Sequence, residues 1–250
     1  MARIEPIKIA LRLVVVLLAG LLASCSGAVD PGAGGAMPLA FTDNGISSEP
    51  AVSRNPEIID NPTVADLAKA GPLGDLAFGS ANAPVTVIEY ASLTCPFCKA
   101  FHERTYQAFK RRYIDTGKVR YIVREFPIGH SSGNAWLVTR CAPKKDFLKL
   151  YGLYLQNQHL WVSQNVRPER IFSIAKRTGM TRAAFDKCMS NQAIIDAVKW
   201  VKQRGRRLGV TGTPTFFING RKERSALTIE QLAGIIDPMI EARVASGGAS

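Results

Sequence analysis

The chain has 250 residues, room for one domain with a sizeable core plus appendages. Its formal charge is +12, and Arg3, Glu5, Lys8 and Arg12 supply +2 of that, leaving about +10 for the remainder. Such a balance favours acidic surfaces, anionic lipid heads among them. The basic runs Lys110-Arg111-Arg112 and Arg204-Gly205-Arg206-Arg207 carry no interleaved aromatic platform, however, and read as solvated helix faces, so no nucleic-acid partner is expected.

Arg3, Lys8 and Arg12 precede the apolar run 13–22, which is short for a bilayer span and has the layout of a secretory signal over residues 1–24. The run closes on Leu22-Ala23-Ser24-Cys25, which resembles the lipobox of bacterial lipoproteins and makes Cys25 a candidate lipid anchor and membrane tether. Cleavage within Ser26-Gly27-Ala28 would instead discard Cys25. Residues 25–72 are broken by repeated prolines and read as a flexible linker. In its last part, Asp66-Leu67-Ala68-Lys69 is apolar enough for a helix turn, and Asp75-Leu76-Ala77-Phe78 beyond it for an edge strand. The folded domain is expected over 73–245.

Residues 85–90 predict a buried strand, and a helix follows whose first turn suits Pro96 and whose apolar face carries Phe101, Ala108, Phe109 and Tyr113. After Asp115-Thr116-Gly117, residues 118–126 predict a second strand parallel to the first. From about 130 to 209 only helical periodicities occur. Gly179 closes one helix, Thr181 caps a short one carrying Cys188, and Asn191 caps a longer one ending at Gly209. A third strand over 215–219 turns through Asn219-Gly220 into a short fourth, and Thr228-Ile229-Glu230-Gln231 opens a last helix that Pro238 is expected to kink or end.

Cys95 and Cys98 stand where a strand passes into a helix, and that placement points to thiol–disulfide exchange. The exchange needs one acidified sulfur to attack and a neighbour to resolve the mixed disulfide. Cys95, at the amino end of the helix, lies beside unpaired N–H groups and the positive dipole end, while Cys98 is one turn on and more buried. Phe97 between them can neither donate a hydrogen bond nor carry charge, which predicts a moderate oxidant. Glu89, six residues before Cys95, either relays the proton of Cys98 or faces solvent, since strand side chains alternate. A cis bond at Thr213-Pro214 would present the Thr213 backbone to a substrate strand. Setting Cys25 aside, four cysteines make two pairs; Cys141 and Cys188 lack the spacing of a redox pair and read as a structural bridge.

Glu-Tyr-Ala-Ser-Leu-Thr-Cys-Pro-Phe-Cys at 89–98, Arg-Glu-Phe-Pro at 124–127 and Thr-Gly-Thr-Pro-Thr-Phe-Phe-Ile-Asn-Gly at 211–220 resemble the DsbA-like thiol:disulfide oxidoreductases, in particular their bacterial branch with a second disulfide. The resemblance spans about 76 to 239. It implies an α/β thioredoxin fold with a helical insertion between the βαβ and ββα halves. It also implies Cys95 as nucleophile, Cys98 as resolver, Glu89 as buried acid and Pro214 as the cis proline. The expected partners are unfolded or reduced exported proteins and a membrane protein that reoxidises the dithiol, in the periplasm or cell envelope of a bacterium, with no cofactor. Phe97 stands where many members have His. Rival readings are a disulfide isomerase or reductase, with 55–69 as an oligomer contact, and a copper or zinc site on Cys95, Cys98 and His102. His102 is otherwise expected on the helix surface, with His130 and His159 as ordinary residues.

Overall fold

The computed structural model describes residues 57–247. The expected signal, Cys25 and most of the expected linker lie outside them. Two helix-flanked strand motifs, one at each end of the domain, build one five-stranded sheet of order β1-β3-β2-β4-β5. β1 (Leu76–Phe78) is an edge strand, β2 (Val85–Ala91) and β3 (Val119–Glu125) are parallel neighbours, and β4 (Thr215–Ile218) and β5 (Arg221–Arg224) complete the sheet antiparallel. Asn219 and Gly220 both have positive φ, as a two-residue hairpin requires. Asn219 also sets the register of β4: its Oδ1 accepts from the Thr86 amide and its Nδ2 donates to the Pro84 carbonyl.

Both faces of the sheet are covered, so β2 buries every residue but Thr86. Val85, Val87 and Ala91 face the larger core, whereas Ile88 and Tyr90 face a smaller one with Ile122, Phe217 and Val201. Alternation puts Glu89 on the larger face, among the helices. A solvent-facing Glu89 is thereby excluded.

α2 (Pro96–Arg104) and α3 (Tyr106–Phe109) lead from β2 to β3. The single helix expected there is broken at Thr105, and a π turn, Lys110–Ile114, ends it. The wider turn brings both Tyr113 and Ile114 into the core. The insertion is helical throughout: α4 (Gly129–Cys141), α5 (Lys144–Gln156), α6 (Gln158–Trp161), α7 (Pro168–Ala175), α8 (Arg182–Met189) and α9 (Gln192–Arg207). Thr181 and Asn191 cap α8 and α9 through their side chains, and Gly179 and Gly209 take the left-handed conformation that ends α7's last turn and α9. Gly205 lets α9 lie close on the sheet, since a Cβ there would stand 2.8 Å from the Tyr90 ring.

α10 (Ile229–Gly247) begins with the expected Thr228/Gln231 capping box and runs on past Pro238. The carbonyl that proline leaves without a helical partner belongs to Gly234, and a Cβ added at that glycine would meet no atom of another element within 4 Å. Residues 57–72, expected as linker, also take part in the fold. α1 (Val64–Ala68) has a Thr63/Asp66 capping box and buries Leu67. Buried Arg124 pins it by donating to the carbonyls of Leu67 and Lys69 while pairing with Asp75 at 2.9 Å.

A disulfide joins Cys141, at the end of α4, to Cys188 in α8. It closes a loop of 47 residues within the insertion. The Cys141→Ala/Cys188→Ala variant is expected to lose up to about 4 kcal/mol of stability on the chain-entropy account, read as a lower guanidinium midpoint than that of the wild type.

Candidate active site

β2 ends at Ala91, a three-residue loop follows, and Cys95 is the N-cap of α2 with Pro96 in the first turn. Proline suits that turn because its missing N–H would have no helical acceptor anyway. The loop is held from below by hydroxyls. The Ser92 Oγ meets Ser132 Oγ at 2.9 Å and accepts from the Ile128 amide, the Leu93 amide donates to Ser132, and Thr94 donates to the Ile128 carbonyl. Gln158 of α6 donates to the carbonyls of both Leu93 and Cys95 at 2.9 and 3.0 Å. The insertion therefore clamps the dithiol loop. Single polar residues far apart in sequence do this work, and nothing local in the chain marks them.

Thr213-Pro214 is cis. The turn brings the Thr213 carbonyl to 3.1 Å from Cys95 Sγ, which donates to it as a thiol. Cys95 is 8 % exposed and Cys98 not at all, and both are free thiols. Phe97 stands out at 63 % exposure, and Ile128 is also exposed.

The two thiols are driven apart in acidity. A hydrogen bond from Cys98 is the main cause that lowers Cys95 to about 5, helped by the Thr213 hydroxyl and by the amides of Cys98 and Phe97. Burial pushes Cys98 well above the ordinary thiol value, reinforced by its bond to Cys95 and by the nearby Glu89 charge. Backbone donors at the helix end contribute as expected from sequence, but the partner sulfur contributes more. The Thr213 hydroxyl has no other partner and is buried, so it is free to turn toward the sulfur once the thiolate forms.

Glu89 is completely buried beneath the dithiol. Burial raises it to about 7, against the hydrogen bond that the Tyr121 hydroxyl donates to it. Among the described residues it has no cationic partner. The other buried carboxylate nearby, Glu125, has Arg140 at 3.2 Å. The contrast separates a carboxyl kept near its titration point from a structural ion pair.

His102 is not on the helix surface. It is 6 % exposed, stacked on Tyr106 at 5.0 Å and edge-on to Tyr151 at 5.7 Å, and burial lowers it to about 4. The helix places it toward α5, whose Gly152 leaves room for the ring. Among the described residues no group of three His, Cys, Asp or Glu side chains is arranged to hold a metal ion, and no helix is long and apolar enough to cross a membrane.

The profile of the thioredoxin family matches residues 73–238. A Rickettsia typhi chain named for protein-disulfide oxidoreductase activity is 28% identical over 169 residues, covering 67% of this chain and 62% of that one. The chain thus spans less than two thirds of that relative's length. Among solved structures, Wolbachia pipientis alpha-DsbA1 superposes with a TM-score of 0.67 at 27% identity, covering 72% of this chain and 98% of that one. Bacillus subtilis BdbD shares the fold, with a TM-score of 0.62 at 18% identity over 75% of this chain and 100% of that one.

Thiolate absorbance of Cys95 is expected to titrate near pH 5, and Thr213→Val is expected to raise that midpoint by about one unit, since it removes one donor to the sulfur. Glu89 gives a pH dependence of stability. Its folded value of about 7 lies above the ordinary 4.5, so the native state carries no penalty below 4.5 and an increasing one up to about 7. Relative to the wild type, Glu89→Gln should therefore gain stability across that window, reaching on the order of 3 kcal/mol above it, as read by denaturant unfolding at pH 4 and pH 8.

Proposed function

The chain belongs to the thioredoxin family in its DsbA-like form, and from that premise we propose that it is a thiol:disulfide oxidase that introduces disulfides into exported proteins through Cys95 and Cys98. The carrying observation is the opposite displacement of two thiols one helical turn apart, Cys95 down to about 5 and Cys98 far up. A thiolate at Cys95 stabilises only the dithiol state. With a value near 5 that advantage is about 3 kcal/mol at pH 7, or roughly 60 mV for the two-electron couple. It is present above pH 5 and fades as pH falls through that value. The disulfide form is correspondingly reactive, as a donor of disulfides must be.

In the forward reaction a substrate thiolate attacks Cys95 Sγ, the Cys95–Cys98 bond breaks, and Cys98 leaves and takes a proton. A second substrate thiolate then attacks the substrate sulfur of the mixed disulfide, and Cys95 leaves as a stabilised thiolate. The two electrons from the substrate end on the dithiol. The backbone of Thr213, turned by the cis bond, suits an extended substrate strand, and the exposed Phe97 and Ile128 suit apolar residues of an unfolded chain. Regeneration requires a membrane partner that removes those electrons. The amino-terminal signal supports work in the bacterial periplasm or cell envelope, with Cys25 as a lipid tether. A reductase must pass its two electrons on to substrate disulfides, which a dithiol stabilised by an ionised Cys95 opposes.

A reduction potential nearer −180 than −270 mV in glutathione buffers is expected, on the scale set by about −180 mV for protein disulfide isomerase and about −270 mV for thioredoxin. Cys98→Ala should accumulate mixed disulfides with exported proteins through Cys95. A potential at the thioredoxin end would make the protein a reductase.

A further inference from the structure

Four buried polar atoms without a partner at ordinary hydrogen-bond geometry lie in one neighbourhood beneath the dithiol: Glu89 Oε1, the Tyr151 hydroxyl that faces this carboxylate, the Tyr106 hydroxyl and His102 Nδ1. Buried polar groups left unpaired are rare and costly, and several sharing one pocket indicate a bridging solvent path or a proton route. The groups come from separate elements: Glu89 from β2, His102 from α2, Tyr106 from α3 and Tyr151 from α5. Their rings are in contact. Tyr106 lies 5.8 Å from Tyr121, whose hydroxyl donates to Glu89, and His102 touches both Tyr106 and Tyr151. The far side of His102 lines a surface groove with Tyr106, Lys110, Lys149, Gly152 and Gln156. At Gly152 a Cβ would stand 2.6 Å from His102 Nε2, so only a residue without a side chain lets the imidazole seat there.

We propose that Tyr106, Tyr151 and His102 form the relay by which the proton exchanged between Cys98 and Glu89 reaches solvent, with His102 as the outlet. The proposal rests on the exchange reaction above and concerns its Cys98 step. When Cys98 attacks a mixed disulfide at Cys95, its S–H bond breaks and the proton passes to the Glu89 carboxylate. The Cys98–Cys95 bond forms, the bond from Cys95 to the substrate sulfur breaks, and its electron pair leaves on the substrate thiolate. The Glu89 proton then crosses the tyrosine hydroxyls to His102 Nδ1, while the Nε2 proton is lost to the groove. A neutral imidazole, which burial favours here, can do this by exchanging tautomers. When the disulfide is opened the same route runs inward. The titratable groups facing Glu89 are Cys95 at the N-cap of α2, Cys98 of α2, Tyr106 of α3, Tyr121 of β3 and Tyr151 of α5; those facing His102 are Tyr106 and Tyr151, with Lys110 and Lys149 at the mouth of the groove.

The test uses the full chain carrying Cys25→Ala, reduced at Cys95 and Cys98, mixed with oxidised glutathione between pH 5 and 9 in H2O and D2O, acid-quenched and weighed by mass spectrometry. The glutathionylated intermediate and the closed disulfide are thereby separated. His102→Ala and Tyr106→Phe are expected to slow closure about tenfold or more without slowing the first attack, so that the intermediate accumulates, and added imidazole is expected to restore the rate of His102→Ala. Tyr106→Phe deletes one oxygen and carries the test alone if His102→Ala does not fold. Closure at the wild-type rate and with the wild-type solvent isotope effect in Tyr106→Phe would overturn the relay. So would an equal slowing of both steps, which marks a general loss of packing. If the wild type itself forms no Cys95–Cys98 disulfide, the exchange reading fails, and that outcome is distinct from either of these.

Discussion

The hydrogen bond from the Cys98 thiol to the Cys95 sulfur sets the acidity of this dithiol. Cys98, wholly enclosed, keeps its proton and offers it to Cys95, which sits at the open end of α2 beside free amides. Each effect needs the other: without burial Cys98 would compete for ionisation, and without an acceptor its buried S–H would be unsatisfied. The five-stranded sheet, the cis turn at Pro214 and the helical insertion all serve to hold that pair at the boundary between core and solvent.

Two buried carboxylates show how the same fold uses one residue type in opposite ways. Glu125 lies at the end of β3 with Arg140, and Arg124 beside it ties α1 and Asp75 to the sheet. These are pairs whose loss would leave an uncompensated buried charge. Glu89 is surrounded instead by phenols and thiols, which can share a proton but cannot neutralise a charge. Its location on the helix-covered face of β2, directly under α2, puts the one buried carboxyl without a cation among the described residues beside the Cys98 thiol.

Much of this was legible in the sequence because it is local. The caps at Thr181, Asn191 and Thr228, the Asn219-Gly220 hairpin and the strand-to-helix position of Cys95 depend on short-range backbone chemistry, which a few residues determine. The fate of Glu89 was not legible. On a half-exposed sheet alternation would have decided its face, but here both faces of β2 are buried, and only the packing of α2, α3 and α5 distinguishes them. His102 was misplaced for a related reason: the helix breaks at Thr105, and α5 covers a face that would otherwise be wet. Gln158, Ser92 and Ser132 carry no signal because their roles come from partners dozens of residues away.

The central claim is that ionised Cys95 makes the dithiol the more stable redox form. In a Cys25→Ala/Cys141→Ala/Cys188→Ala background, where only Cys95 and Cys98 respond to redox conditions, the unfolding free energies of the reduced and oxidised proteins can be compared at pH 7 and pH 4. The account predicts that the reduced protein is the more stable at pH 7 and loses that advantage at pH 4, below the Cys95 midpoint. An oxidised protein as stable as the reduced one or more so at pH 7, or a difference independent of pH, would contradict it.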